Sequence, residues 1–134
     1  MLNYKHDPKR VPSIEQRFWD REKVSSYIRA VAIDLGHYAW RELEELLTVT
    51  EVYRTPEENE AVGGVKGSQH LLIPGQKTYA VDFRSTDVSL PNIKRMRQYV
   101  ATMWQEPLKA FMLYEPKAQT APHLHLHVRR EEWI

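Results

Sequence analysis

The strongest constraint on the fold is a run near the C-terminus in which three histidines alternate with apolar residues, Pro122-His123-Leu124-His125-Leu126-His127-Val128-Arg129. This alternation has the two-residue period of a β-strand, so His123, His125 and His127 project to one face and Leu124, Leu126 and Val128 to the other. Such a strand belongs in a sheet with its apolar face against a core. The histidine face is a chelating row, because neutral imidazole near pH 7 is a nitrogen ligand suited to zinc. A plainer reading competes, in which the polar face is merely wet and the tract chelates incidentally. A catalytic zinc takes about three protein ligands and keeps one position open, so other segments must supply the rest.

Composition limits which residues those can be. Cysteine is absent, which removes thiolates and disulfides and leaves His, Asp and Glu as donors. Lys and Arg number 19 against 18 for Asp and Glu, a net charge of +1, so no basic excess marks nucleic acid as a partner. The segment from Met1 to Asp7 lacks the apolar core of a signal peptide, and no stretch approaches a membrane span. Synthesis in the cytoplasm without membrane insertion is therefore expected. A length of 134 residues suits one domain. We assign it to residues 13–134, after an extended polar arm at 1–12 that contains Pro8 and Pro12.

Local signals order the elements. Ser13 offers an N-cap for a short helix, and apolar residues from Tyr27 through Leu46 or Leu47 recur at helical spacing, predicting one helix over 24–47, or two if Gly36 breaks it. Residues 48–54 alternate and are rich in β-branched side chains, as in a strand. Thr55-Pro56 opens a short helix that Gly63-Gly64 ends. A loop follows over 65–77, then a strand at 78–84, a helix after Ser89-Leu90-Pro91, and strands near 109–114 and 122–129. This order predicts an α+β domain with helices packed on a small, mostly antiparallel sheet.

Two upstream positions can complete a metal site. His70 follows Ser68-Gln69 in the loop, and Asp82 is a carboxylate inside an otherwise apolar strand, where an unpaired charge is expensive. Taken singly, each has a plainer reading: a solvated loop histidine, and an aspartate that caps a turn or pairs with an arginine such as Arg84.

Taken together, these segments resemble a known family. Val52-Tyr53-Arg54-Thr55-Pro56, Asn59, Gly63-Gly64 and Ser68-Gln69-His70 resemble the opening motif, asparagine, Gly-Gly turn and Ser-x-His ligand of the zinc D-Ala-D-Ala metallopeptidases, which include peptidoglycan carboxypeptidases and phage endolysins. Ala80-Val81-Asp82 resembles their Ala-x-Asp, and His125-Leu126-His127 their closing His-x-His strand. The resemblance implies a hedgehog/DD-peptidase-like fold and a zinc held by His70, Asp82 and one histidine of the last strand. It implies His127 as that ligand and His125 as the group that moves protons. A register with His125 as ligand and His123 or His127 as the catalytic group stays open, since all three share a face. His123 otherwise falls on the substrate side.

Arg54 matches the family arginine that reaches into the site, where a guanidinium holds a substrate carboxylate or carbonyl; the plainer reading is an ion pair with Glu57 or Glu58. Ser68 matches a position that hydrogen-bonds substrate or the edge of the site, against the plainer reading of a solvated loop serine. One departure stands out. The family places six residues between the histidine and the aspartate, whereas eleven separate His70 from Asp82, and Thr78 stands where the family has glycine. The surplus lies in residues 71–77, a turn-forming stretch that bulges beside the cleft or reshapes access to it.

The expected function is a zinc-dependent peptidase that cleaves peptide bonds of bacterial peptidoglycan, as a DD-carboxypeptidase or as an endopeptidase of endolysin type. A phage or prophage lysis or morphogenesis role at the cell wall follows, with phage particle proteins as candidate partners. The rival readings are a non-catalytic family member serving binding or assembly, and a metal hydrolase of another small peptide or amide.

Overall fold

The computed structural model describes residues 1–65, 67–117 and 122–129; Lys66, inside the motif stretch, lies outside them. In chain order the elements are β1 (Leu2–Tyr4), α1 (Ile14–Phe18), α2 (Ser26–Leu43), β2 (Leu47–Glu51), α3 (Pro56–Ala61), β3 (Ala80–Arg84), α4 (Leu90–Met103), β4 (Ala110–Glu115) and β5 (His123–Val128). The five strands form one sheet in the order β1-β2-β3-β5-β4. β1 joins β2 in parallel, and the other pairings are antiparallel, so the sheet is mixed within an α+β fold.

The alternation in β5 sets the two faces. Leu124, Leu126 and Val128 are buried with Val81 and Phe83 of β3 and Val49 of β2. Against them pack Ile28, Val31 and Leu35 of α2 and Ile93, Met96 and Val100 of α4, the residues whose helical spacing forms a continuous apolar stripe. Asp82, Arg84 and the three histidines occupy the other face, by the same two-residue period.

Helix α2 runs unbroken through Gly36, the one-helix reading of this stretch. The glycine serves packing: a Cβ there would stand 2.6 Å from the Leu2 side chain and 2.7 Å from the Met1 carbonyl, so its absence lets β1 lie across the helix. The helix stops at Glu44, whose φ of 56° is left-handed and turns the chain into β2.

Beyond β2 the chain brings Arg54 and His70 to the polar face. Thr55 caps α3, accepting from the Glu58 backbone while the Glu58 carboxylate accepts from the Thr55 N–H, a reciprocal box with Pro56 in the first turn. Glu58 is also gripped by Arg17 of α1, a fully buried side chain whose two amino nitrogens lie 2.8 and 2.9 Å from the carboxylate oxygens. Arg17 further donates to the carbonyls of Tyr53 and Pro12, so one guanidinium ties α1, α3 and the intervening chain together.

Candidate metal centre

The site is assembled by one register and one loop. Antiparallel pairing sets Asp82 directly opposite His125, Arg84 opposite His123, and Ala80 opposite His127. Cross-strand partners are the closest side chains in a sheet, and Oδ1 of Asp82 lies 2.8 Å from Nδ1 of His125. From above, His70 brings Nε2 to 3.0 Å from the same Oδ1. The three residues are all buried, and one ligand atom from each lies within 4.8 Å of the others.

Arg54 holds His70 in place through its backbone: its N–H donates to the His70 carbonyl at 2.7 Å, and its own carbonyl accepts from Leu72 at 2.8 Å. The long connection from His70 to Asp82 is pinned at both ends. Leu71 bridges to Arg54, while Thr78 bridges to Val24 and exchanges hydrogen bonds with Lys23 and Ser25. Between the pins, Ile73-Pro74-Gly75-Gln76 closes a turn with a 3.0 Å bond from the Gln76 N–H to the Ile73 carbonyl and φ of 79° at Gly75, as a type II turn requires. The extra residues bulge outward, and none of 71–77 lines the cleft beside Asp82.

The donor set fits a divalent metal. His70 Nδ1–H donates to the Val52 carbonyl at 2.8 Å, which leaves the Nε2 lone pair pointing inward. That nitrogen is buried and, although close to Asp82, lacks hydrogen-bond geometry with any described residue. His125 is oriented in the same way, since Nε2 lies against the Gln69 side-chain oxygen and Nδ1 faces Asp82. Two imidazole nitrogens and a carboxylate thus converge, a set of three ligand atoms that would hold a divalent cation. Their 2.8 and 3.0 Å separations are within a few tenths of an ångström of the edge, about 3.3 Å, of a tetrahedron with bonds of about 2.0–2.1 Å. Burial alone would raise the Asp82 carboxyl, but the His70 charge and bonds from both imidazoles hold it well below the usual carboxylate range. For His70, burial opposes the charged form, and Asp82 more than offsets it, raising its affinity for a proton.

The structure therefore brings His125, rather than the expected His127, to His70 and Asp82. The reason lies in the partner strand: His127 faces Ala80, which offers no donor. The His127 ring stacks on Phe111 with centroids 4.9 Å apart, and its Nδ1 is buried without a described partner. Burial, and then the neighbouring His125, push its pKa down to about 4.

His123 stands at the mouth, its Nε2 3.6 Å from the Asp82 Oδ2 and 3.3 Å from Glu115 of β4. It borders a cleft of about 460 Å³ together with Asp82, Arg54, Arg84, Glu51 and Arg10. Arg54 is buried and donates to the Ser68 hydroxyl at 2.9 Å and to Glu51 at 3.4 Å, while its Nε has no described partner. Ser68 also accepts from the His70 N–H at 3.2 Å, so it joins Arg54 to the metal loop.

A family model described as Peptidase M15 matches residues 32–105, more than half of the chain. The chain belongs to the peptidase M15 family. It is a metallopeptidase by that membership, in agreement with the motif resemblance of residues 52–82, and the matched span contains Arg54, Ser68, His70 and Asp82. His125, the third member of the buried group, lies beyond the matched span. No curated protein and no solved structure matches the chain.

Sequence reasoning missed Glu51, Gln69 and Glu115. Gln69 adjoins a ligand and Glu51 begins the turn toward Arg54, but their roles depend on who faces them across the sheet, which no local pattern reveals. Arg84, considered as a partner for Asp82, makes no ion pair with it, because the histidines take both carboxylate oxygens.

Proposed function

We propose that this M15 chain is a zinc peptidase acting on the peptide part of bacterial peptidoglycan, with His70, Asp82 and His125 as ligands. The observation that carries this reading is the convergence of two imidazole nitrogens and one carboxylate at the foot of a cleft, with His123 and Arg54 on its wall. Two imidazoles and a carboxylate leaving one face open is a donor set of catalytic zinc sites. When bound, zinc supplies a nucleophilic water near neutral pH and polarises the scissile carbonyl.

The protein's own groups do the rest. His123, the cleft-facing histidine of the strand, accepts a proton as the nucleophile adds and delivers one to the leaving amine through Nε2. Glu115 beside it steadies the charged imidazolium. Arg54 is held by Ser68 and Glu51, and its guanidinium positions a substrate carbonyl or carboxylate. In this arrangement the second histidine of His123-Leu124-His125 binds the metal and the first moves protons. His127 supports the strand through Phe111. Action at the cell wall, in phage or prophage lysis or morphogenesis, accords with that substrate.

The test is metal analysis of the purified protein joined to digestion of purified peptidoglycan with zinc supplied. One bound zinc per chain and new amino termini are expected. A protein that takes up no zinc, or releases no amino termini when loaded, refutes the reading.

A further inference from the structure

A continuous series of polar contacts joins the N-terminal arm to the metal centre. Arg10 lies on the arm beyond β1, where its N–H donates to the Asp7 carbonyl at 3.0 Å and Asp7 Oδ1 accepts from the Lys9 N–H at 3.0 Å. Its guanidinium grips Glu51, the last residue of β2, with two amino nitrogens 2.7 and 2.9 Å from the two carboxylate oxygens. Glu51 in turn meets Arg54, Arg54 donates to the Ser68 hydroxyl at 2.9 Å, and that hydroxyl accepts from the His70 N–H at 3.2 Å. Arg10, Glu51 and Arg54 border the same cleft as Asp82 and His123.

The links are unequal. The Arg10 fork has the lengths of a charge-assisted bidentate pair. Arg54 Nη1 stands 3.4 Å from Glu51 Oε2, longer than the usual hydrogen-bond range of about 2.7–3.2 Å. Two guanidinium groups thus share one buried carboxylate, and the one from the arm holds it. Arg54 is left with an uncharged hydroxyl, a long contact to Glu51 and an Nε without a described partner, so most of its charge is uncommitted. A buried carboxylate that loses its cation is costly and turns to another within reach. Among the described residues, the other cation within ion-pair distance of Glu51 is Arg54.

We infer that Arg10 is a positioning residue of the site, which engages Glu51 and so keeps the Arg54 guanidinium free for substrate. The inference rests on the peptidase reading, in which Arg54 positions a substrate carbonyl or carboxylate, and it gives the arm a part in that site. Without Arg10, Glu51 closes on Arg54 and withdraws it from the cleft, while His70, Asp82 and His125 stay in place.

The wild-type full chain is compared with Arg10→Gln, Arg10→Lys and the double variant Arg10→Gln/Glu51→Gln, all loaded with zinc. The probe is the peptide L-Ala-γ-D-Glu-L-Lys-D-Ala-D-Ala, with binding measured by calorimetry and cleavage by mass spectrometry. Competition with a chromophoric chelator gives zinc affinity. Arg10→Gln is expected to weaken peptide binding and raise KM by about tenfold, the low end for a hydrogen bond to a charged group, with kcat and zinc affinity near wild type. Arg10→Lys should lose less, because the charge beside Glu51 survives while the fork is lost. The double variant should regain most of the loss, since a neutral amide at position 51 no longer draws in Arg54. A merely structural role for Arg10 predicts the opposite, a site weakened further by the second change. If Arg10→Gln loses its native circular dichroism spectrum, the same comparison is made with Arg10→Lys, alone and joined to Glu51→Gln.

Unchanged peptide affinity without Arg10, as when Lys5 takes over Glu51, overturns the inference. So does a double variant no better than the single one, a wild-type chain that binds no peptide, or a fall in zinc affinity that parallels the loss of peptide. The expected pattern in binding without any cleavage supports the role of Arg10 and refutes the peptidase reading instead. Cleavage with one KM in all variants does the reverse.

Discussion

Asp82 on β3 and His125 on β5 are direct cross-strand partners, and their side chains meet with Oδ1 2.8 Å from Nδ1. This single register decides which of three equivalent-looking histidines meets Asp82. His125→Ala is expected to lower metal affinity by more than the 10–100-fold, roughly, that an outer residue costs. His127→Ala should leave affinity near wild type, since that ring stacks on Phe111. Competition against a chromophoric chelator measures both, and a reversed order would return the ligand role to His127.

His123→Ala should separate metal from chemistry. The residue borders the cleft and contacts Asp82 only at 3.6 Å, so zinc stoichiometry should hold while turnover falls by about 10²–10⁴, the range for a lost general acid or base. Loss of zinc together with activity would show that His123 is a ligand.

Gln69 meets the far nitrogen of His125 and so orients the ring whose other nitrogen faces Asp82. Gln69→Leu keeps the volume but removes the acceptor. Metal affinity should fall by about 10–100-fold with an unchanged circular dichroism spectrum. An unchanged affinity would mean that the β5 backbone alone sets the ring.

Much of this architecture is legible in the chain. The alternation in β5 places its two faces, and Thr55-Pro56 and Ser89-Leu90-Pro91 mark helix starts because caps act locally. The choice among the three histidines is not local: it depends on Asp82 and Ala80 alternating forty residues upstream, and on how far β3 slides against β5. β1 is hidden for a related reason. Three residues carry too little pattern to predict a strand, and what holds them is parallel pairing with Leu47–Val49 and the close approach at Gly36.

Gly36→Ala tests that approach. The new methyl would fall 2.6 Å from the Leu2 side chain and 2.7 Å from the Met1 carbonyl, so β1 must shift although the helix itself gains a better former. A net loss of about 1–3 kcal/mol is expected from overpacking, with faster amide exchange across β1 and β2. A stabilised protein would show that β1 contributes little.

The part-buried Arg17–Glu58 contact predicts how the fold responds to acid. Partial burial alone would raise the Glu58 carboxyl, but the Arg17 hydrogen bonds, the Thr55 N–H and the charges of Arg17 and Arg10 bring it down from about 4.5 to about 2. The folded state therefore binds this proton less readily than the unfolded chain. The stability Glu58 contributes is fully present above pH 4.5 and is lost as pH falls from there through about 2. Glu58→Gln removes the titration and leaves Arg17 without its anion, which should cost about 1.5–3 kcal/mol at neutral pH, the range for a hydrogen bond to a charged group. The deficit relative to wild type should then narrow steadily below pH 4.5. Urea unfolding followed in parallel for the two proteins between neutral pH and pH 3 measures this. A deficit independent of pH would show that Glu58 acts through the Thr55 cap and packing, and not through its charge on Arg17.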